Sequence, residues 1–211
     1  SLCIGIACPL EPLAMPMQIA AVGDEGDTGL GSIRTVASCK NCLTVGVSEN
    51  DVLSDGRNVA PFSSQGPASG GRLKPDLVAP GHSLVSAASN SPSAFGLTQL
   101  SGSYMAAAVA AGSAALVRQY LRDGFFPTGV QGEGDRHFAS GALLKAMLIH
   151  SAMPLTGVYR GQPLAPPPSD IQGFGRLQLD RILFGPPSSA GGRAPIDRLR
   201  FVDWSAPLHT G

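Results

Sequence analysis

The sequence predicts an α/β domain, because short apolar strand-like segments are followed by long helical ones. Residues 18–23 form an apolar run that ends in a glycine, and residues 43–48 form a second run rich in β-branched side chains. Residues 77–79 and 84–87 are two further short runs, separated by a Pro-Gly pair. Residues 105–121 contain no proline and are dominated by alanine, which is the best helix former.

The alanine-rich segment is predicted to be a buried helix, because small or apolar residues occupy most positions on all of its sides. Ser101, Gly102 and Ser103 are candidate residues for its N-cap. A helix N-terminus presents unpaired N–H groups and a partial positive charge, which suits a developing oxyanion. A second helix is predicted over residues 140–153, with Ser140 as its N-cap.

The composition excludes two classes of partner. The chain has 211 residues, of which 43% are hydrophobic and 14% charged, and its formal net charge is zero. This content is sufficient for the core of one domain. No basic run is present for binding nucleic acid, and the longest apolar stretch is too short to span a bilayer. We therefore expect no nucleic-acid partner and no membrane span.

Proline and glycine divide the chain into segments. Residues 1–16 are predicted to be an irregular lead-in, and residues 163–168 contain four prolines, as in a stiff connector. The composition of residues 185–198 is typical of a linker. We therefore assign residues 1–184 to the main domain and residues 199–211, which begin with a strand-like alternation, to the start of a β-rich domain.

The four cysteines occur as two closely spaced pairs, Cys3 with Cys8 and Cys39 with Cys42. An even number of cysteines is consistent with disulfides. Two alternatives stay open: free thiols, and a half zinc site at Cys39-Lys-Asn-Cys42. The spacing does not determine the pairing, and a cysteine outside this chain is another partner to consider.

Several motifs resemble those of subtilisin-like serine proteases. The segment Leu100-Ser-Gly-Ser-Tyr-Met-Ala-Ala-Ala-Val-Ala-Ala-Gly112 is similar to the family's nucleophile motif, usually Gly-Thr-Ser-Met-Ala-x-Pro-His-Val-Ala-Gly. Upstream, Phe62-Ser-Ser-Gln-Gly-Pro67 and Gly71-Arg-Leu-Lys-Pro-Asp-Leu-Val-Ala-Pro-Gly81 resemble the family's segment before the nucleophile. Ala20-Ala-Val-Gly-Asp-Glu-Gly26 resembles its Ala-Ala-Gly-Asn-Glu-Gly oxyanion segment.

Two more matches extend the resemblance. Thr44-Val-Gly-Val-Ser48 looks like the family strand that follows the oxyanion segment, and Asp170-Ile-Gln-Gly-Phe-Gly-Arg-Leu177 is similar to Asp-Gln-Gly-Tyr-Gly-Arg-Val. All of these motifs occur in family order and cover roughly residues 17–184. The resemblance implies the C-terminal half of a subtilisin-like peptidase domain, with a mostly parallel sheet, helices on both faces and then the start of a β-rich segment.

Tyr104 stands where the family has its serine nucleophile, directly before Met-Ala. Its phenol oxygen lies further from the backbone than a serine oxygen, whereas acyl transfer needs the attacking oxygen within reach of a base and of the oxyanion donors. We therefore expect Tyr104 to fill the substrate pocket. Ser103 or Ser101 is an alternative nucleophile, but a shift of one residue turns a side chain by about 100° around a helix, so capping is the favoured role.

Asp24 stands where the family usually has an oxyanion-binding asparagine. An ionised aspartate accepts hydrogen bonds and donates none, and loss of one oxyanion donor typically costs about a hundred- to a thousandfold in turnover. At least one active proprotein convertase of this family carries aspartate there, so Asp24 alone does not establish inactivity. The resemblance assigns substrate binding to the neighbouring Ala21, Val22 and Gly23.

The family's catalytic aspartate and histidine motifs precede the oxyanion segment, and this chain contains no His-Gly-Thr-His or similar motif. His82, His137, His150 and His209 lie in other contexts, which favours structural or solvated roles. We expect the missing N-terminal half of the domain to come from the same precursor, of which this chain would be an excised piece, or from a second chain.

The resemblance therefore predicts a catalytically inactive relative with a structural or binding role. The alternative is part of an active secreted serine endopeptidase whose Asp and His lie outside this chain. Either would contact a polypeptide substrate or partner in a secreted or extracellular location, including the cell surface or cell wall. No cofactor is predicted. Calcium would follow from the resemblance alone, because Asp24, Glu25 and Asp27 match no complete calcium loop.

Overall fold

A four-stranded sheet lies at the centre of the part of the chain that the computed structural model describes, which is residues 3–6, 17–33, 35–50, 56–88, 96–185 and 199–203. Its strands follow the spatial order β1 (Cys3–Ile6), β2 (Met17–Ala21), β3 (Leu43–Ser48) and β4 (Leu77–Pro80). β2, β3 and β4 run parallel to one another, whereas β1 pairs antiparallel with β2. The predicted α/β class with a mostly parallel sheet is confirmed.

The three parallel strands are buried because both faces of the sheet are covered. All six residues of β3 are buried, including Thr44 and Ser48, which alternate with apolar side chains, as expected for a strand that is covered on both faces. Ile19 pairs with Leu43, and Val45 pairs with Leu77, so large apolar side chains lie side by side across the sheet.

Two α-helices pack on one face of this sheet. α1 (Ser103–Arg122) contacts β2, β3 and β4, and α2 (Gly141–Ser151) contacts β2 and α1. Four alanines of α1 are completely buried, and their short side chains allow the helix axis to approach the strands closely: Ala106, Ala107, Ala110 and Ala114. Ser140 is the N-cap of α2 as predicted, since its hydroxyl accepts from the Leu143 amide at 3.0 Å.

The opposite face is covered by loops and short 3₁₀ helices in the described part of the chain. Ala20 and Val22 pack there against Ala37, which belongs to a 3₁₀ helix over Thr35–Ser38. Val78 of β4 packs on the same side against a separate group of apolar residues that comprises Val59, Leu155 and Tyr159.

The structure corrects the prediction for the lead-in, because residues 3–6 form β1. The antiparallel ladder of β1 satisfies the backbone hydrogen bonds along one side of β2. Residues 7–16, which share that prediction, lie outside the described residues.

Four short strands form two small antiparallel sheets beside the main one. β5 (Leu84–Ala87) pairs with β6 (Leu97–Leu100), and β7 (Val158–Tyr159) pairs with β8 (Gln162–Pro163). The sequence predicted only β5. β8 reaches the start of the proline-rich connector, where an edge position tolerates a proline because its nitrogen need not donate.

Residues 199–203 pack on the main domain instead of forming the expected strand. Leu199 is 6% exposed, and the ring of Phe201 lies 4.9 Å from that of Phe126 and 5.2 Å from that of His137, measured between centroids. Apolar burial therefore holds this segment against the domain surface. Residues 186–198 of the proposed linker and the remainder of the C-terminal segment lie outside the described residues.

Asp203 ties this segment to the start of α2. Its carboxylate accepts from the Ser140 amide at 2.7 Å and from the Ser140 hydroxyl at 2.6 Å, and His137 Nε2 lies 3.2 Å from it. Burial alone would raise the pKa of Asp203, but the hydrogen bonds from Ser140 and the contact with His137 outweigh burial, so its pKa lies below the ordinary value.

We expect Asp203→Asn to destabilise the protein near neutral pH, by an amount that declines in acid. A folded-state pKa below the unfolded value means that the carboxylate contributes stability above the unfolded value of 3.8 and loses it as the pH falls through the folded pKa. Urea denaturation of the parent protein and of Asp203→Asn at several pH values between about 3 and 7 would measure both unfolding free energies. The difference between them should shrink below about pH 4. A difference that does not change with pH would contradict the assignment.

A second charged cluster is buried at the amino ends of the parallel strands. Asp76 binds Lys74 Nζ through one carboxylate oxygen and lies 3.2 Å from Lys145 Nζ through the other. The first oxygen also accepts from the Thr44 amide at 2.6 Å. Burial lowers the pKa of Lys74, and the neighbouring Asp76 carboxylate opposes that shift.

We expect Asp76→Ala to cost about 3–5 kcal/mol of unfolding free energy, because it leaves Lys74, which is 3% exposed, without its counter-charge. Asp123→Ala is the matched control, since Asp123 pairs with Arg122 at the surface, where ion pairs contribute little. Urea unfolding of the two variants measures both effects. Equal losses would show that Asp76 is no more important than a surface carboxylate.

Candidate active site

The candidate site lies where the carboxyl end of β2 meets the amino end of α1. Crevices at the carboxyl ends of parallel strands are the usual ligand-binding positions of open α/β sheets. Here Oδ1 of Asp24, three residues after β2, accepts a hydrogen bond from the Ser103 amide at 2.7 Å. The contact joins two residues 79 positions apart in sequence, and it brings together the predicted oxyanion and nucleophile segments.

Asp24 caps α1 from a distant loop. The N-cap residue of α1 is Gly102, which has no side chain to accept from the first helical amides. The expectation that the Ser101 or Ser103 side chain caps the helix is therefore wrong. A carboxylate at this position satisfies one orphan N–H and complements the positive end of the helix dipole.

Tyr104 is 43% exposed at the second position of α1. Its ring lies against Gly102, so closely that a Cβ atom on residue 102 would overlap the ring carbons. Gly102 in turn donates its amide to the Gly81 carbonyl at 2.8 Å, which fixes the backbone on which the ring lies. The phenol therefore covers the backbone at the helix start while one side of it faces solvent.

The two serines beside Tyr104 differ in accessibility. Ser103 is only 3% exposed, so a substrate carbonyl cannot reach its hydroxyl without displacing neighbouring groups. Ser101 is exposed, and its hydroxyl accepts from the Ser83 amide at 2.8 Å, just before β5. This contact joins the two ends of the β5–β6 hairpin, which gives Ser101 a structural partner.

The predicted substrate-binding residues present backbone rather than side chains. Ala21 and Val22 are 3% and 1% exposed, because their side chains pack into the two faces of the sheet. Gly23 adopts a φ of 109°, a conformation that favours glycine. Its carbonyl accepts from the Ser64 amide at 3.0 Å. A role in substrate binding remains a prediction for these three residues.

A buried hydrogen-bond network around the Gly26 carbonyl positions the loop that carries Asp24. Arg160 Nη1 donates to this carbonyl at 2.7 Å, and the Tyr159 hydroxyl and Gln65 Nε2 lie 3.3 Å and 3.4 Å from it. Ser64 strengthens the loop by accepting from the Glu25 amide at 3.0 Å. Burial raises the pKa of Tyr159, and Arg160 opposes the shift. Sequence reasoning missed Tyr159 and Arg160, which lie more than 130 positions from the loop they hold.

The described histidines do not meet at this site. His137 contacts Asp203 at the start of α2, and His150 is exposed on α2. His82 packs against Phe62, with 5.9 Å between ring centroids and the ring planes tilted by 46°. Although Ser140, His137 and Asp203 are the residue types of a catalytic triad, the Ser140 hydroxyl donates to the aspartate and not to the histidine, which excludes triad geometry. His209 lies outside the described residues.

The acidic turn after β2 does not fit a calcium site. The Asp24 carboxylate is directed to the start of α1, whereas Glu25 Oε2 lies 3.4 Å from the Ser64 hydroxyl on another segment. Among the described residues, no group of three or more His, Cys, Asp or Glu side chains is arranged to hold a metal ion. Within the same part of the chain, no helix has the length and apolar character needed to cross a membrane.

Comparison with known proteins identifies the family. The subtilase family profile, that of peptidase family S8, matches residues 16–176. This range includes both halves of the site and most of the domain, and the chain therefore belongs to the subtilase family. It is part of a subtilisin-like peptidase domain.

Two similar proteins come from Dictyostelium discoideum. The serine protease/ABC transporter B family protein tagB is 39% identical over 150 residues, which cover 60% of this chain and 8% of that protein. The related protein tagD is 32% identical over 185 residues, covering 74% of this chain and 10% of that protein. The chain thus spans about a tenth of the length of these relatives.

Solved structures show the same fold. The prenylagaramide maturation protease PagA superposes with a TM-score of 0.53 at 23% identity, and the match covers 76% of this chain and 47% of that one. At this identity the likeness shows the fold alone. About half of the neighbouring chain has no counterpart among the matched residues.

We expect Asp24→Ala to lower the unfolding free energy by about 0.5–2 kcal/mol, the usual effect of removing a helix cap. Asp24→Asn is the matched control, because its amide oxygen can still accept from Ser103 and only the charge at the helix N-terminus is lost. Urea denaturation of both variants separates the two contributions. If Asp24→Ala is as stable as the parent protein, the contact with Ser103 does not cap α1.

Proposed function

We propose that this subtilisin-like domain binds polypeptide without cleaving it. The observation that carries the proposal is the pairing of Asp24 with the start of α1, beside a tyrosine at the nucleophile position. A carboxylate so close to the helix N-terminus repels a developing oxyanion, where an amide would donate to it. Tyr104 adds bulk at the same point, where a peptide carbonyl would have to approach.

Exposed apolar side chains near Tyr104 support a role in binding. The β5–β6 hairpin leads directly into α1, and three of its large apolar side chains are solvent-exposed: Val85 at 61%, Leu97 at 73% and Leu100 at 48%. Extended polypeptides commonly bind by adding to short strands and placing alternate side chains in apolar contacts. The hairpin and the Tyr104 ring together offer such a surface.

The proposal includes a second polypeptide segment that completes the domain. α2 is apolar on nearly all sides, yet Ala142 and Ala146 are exposed on it. A groove of about 660 Å³ runs between this face of α2 and β2, lined by Met17, Gln18 and Ile149 among others. Since the solved relatives have about twice the matched length, the N-terminal half of the domain, from the same precursor or another chain, is the partner we propose.

The alternative is part of an active serine endopeptidase whose catalytic Asp and His are supplied by that other half. The Dictyostelium relatives are named as serine proteases, which favours it. Ser101 or Ser103 would then have to act as nucleophile in place of Tyr104. The usual acyl-enzyme route would follow, with the histidine as general base.

A secreted or extracellular location, including the cell surface, belongs to the same proposal. Its support is the Cys39–Cys42 disulfide, which the structure contains and which is commonest in oxidising compartments.

A fluorophosphonate probe distinguishes the two functions when applied to the complete protein. Such probes phosphonylate an activated serine, and the site of attachment is found by peptide mass mapping. We expect no adduct on Ser101 or Ser103, because among the described residues neither hydroxyl is hydrogen-bonded to a histidine. An adduct on either residue would establish the endopeptidase and overturn the non-catalytic proposal.

Binding is tested with fluorescein-labelled casein, an unfolded polypeptide, by fluorescence anisotropy. We expect Val85→Asp combined with Leu97→Asp to weaken binding about tenfold or more, since burying an unpaired charge is unfavourable. Val202→Asp is the control, as Val202 is a still more exposed valine, at 85%, on the C-terminal segment. Equal affinity of all variants, or cleavage of the casein by the parent protein, would contradict the proposal.

A further inference from the structure

The Cys39–Cys42 disulfide closes a short loop at the amino end of β3, at the opposite end of the strands from the candidate active site. The two sulfur atoms differ in accessibility. Cys42 is 1% exposed, whereas Cys39 is only partly buried, and Lys40 and Asn41 between them are exposed. A thiol from solution therefore reaches the Cys39 sulfur first.

Oxygen acceptors surround the buried sulfur. Cys42 Sγ lies 3.1 Å from the Cys39 carbonyl, 3.5 Å from the Thr44 hydroxyl and 3.9 Å from the Val36 carbonyl. A disulfide sulfur has no proton to donate to these oxygens, but a thiol does. Reduction would thus create a donor at a position where acceptors are already in place, and stabilising the reduced form makes a disulfide easier to reduce.

The loop is held in place by contacts that do not involve sulfur. The Cys42 carbonyl accepts from Lys74 Nζ at 2.9 Å and from Lys145 Nζ at 2.8 Å. The Thr44 hydroxyl donates to the Ala37 carbonyl at 2.7 Å. A loop this short also gains the least entropic stabilisation from its cross-link. The fold should therefore persist when the disulfide is opened.

We propose that Cys39 and Cys42 form a reversible thiol–disulfide exchange site whose partner is a dithiol. One thiolate of the partner attacks Cys39 Sγ, the Cys39–Cys42 bond breaks, and Cys42 leaves as a thiolate that takes up a proton and donates to the Cys39 carbonyl. The partner's second thiolate then attacks its own sulfur in the mixed disulfide and releases Cys39, which also takes up a proton. Two electrons and two protons pass to the cysteine pair, the partner becomes a disulfide, and the reverse reaction restores the bond.

The equilibrium between the Cys39–Cys42 disulfide and its dithiol form is measured on the full chain. The buffers contain a graded ratio of reduced to oxidised glutathione, and free thiols are trapped with a maleimide. Peptide mapping separates Cys39 and Cys42 from Cys3 and Cys8. We expect the pair to pass from oxidised to reduced within the range of these buffers and to reoxidise on return, with an unchanged circular dichroism spectrum. A pair that stays oxidised throughout, or a fold lost on reduction, would overturn the proposal.

The order of attack is tested with single-cysteine variants. In Cys42→Ser the remaining Cys39 should form a mixed disulfide with oxidised glutathione at least about tenfold faster than Cys42 does in Cys39→Ser. In urea the two rates should become similar, which controls for intrinsic reactivity. Equal rates in the folded proteins would exclude Cys39 as the point of entry.

The stabilisation of the reduced form is tested with Thr44→Val. The variant removes one acceptor near Cys42 Sγ while it keeps the size of the side chain. It should shift the glutathione equilibrium toward the disulfide by about two- to tenfold, the effect of one hydrogen bond. Thr28→Val is the control, because its hydroxyl bonds the Glu25 carbonyl in an exposed turn. Identical equilibria for the two variants would contradict the mechanism.

Discussion

The buried Asp76 carboxylate contacts two ammonium groups and a backbone amide. The relative positions of β3, β4 and α2 depend on these contacts. Lys74 and Asp76 precede β4, Thr44 lies in β3, and Lys145 comes from α2. An unpaired charge is too costly to leave at this depth. These elements must therefore come together with their side chains in register, which aligns the amino ends of the strands and seats α2 beside them.

The candidate active site lies at the carboxyl ends of the same strands. There the structural requirement is a cap for the N-terminus of α1. A long buried helix begins with a glycine that cannot cap it, and the acceptor comes instead from the loop after β2. That loop is in turn held by Tyr159 and Arg160 from the C-terminal part of the domain, which both donate to the Gly26 carbonyl. In the function we propose, the same carboxylate also places negative charge where an oxyanion would develop, so capping of the helix and catalysis would oppose each other at Asp24.

Local physical chemistry explains why the strands and helices could be predicted so closely. β3 coincides with the predicted residues 43–48, and α1 and α2 differ from their predictions by one or two residues at each end. Apolar runs, an alanine-rich stretch and a serine before α2 act over a few neighbouring residues. The sequence analysis did not predict β1 and β6, because each is stabilised by hydrogen bonds to a partner strand. The residue pattern within each segment does not indicate that partner.

At the candidate active site, too, some features could be predicted from the sequence and others depend on tertiary packing. The order of the motifs along the chain was enough to bring Asp24 and Tyr104 to one place, since the family resemblance carries the topology with it. The capping role of Asp24, the burial of Ser103 and the engagement of His137 by Asp203 depend on side chains far apart in the chain. The sequence therefore established the family and the residue types at its site. Their accessibility and hydrogen-bond partners followed only from packing, because burial and directional bonds are properties of the folded neighbourhood.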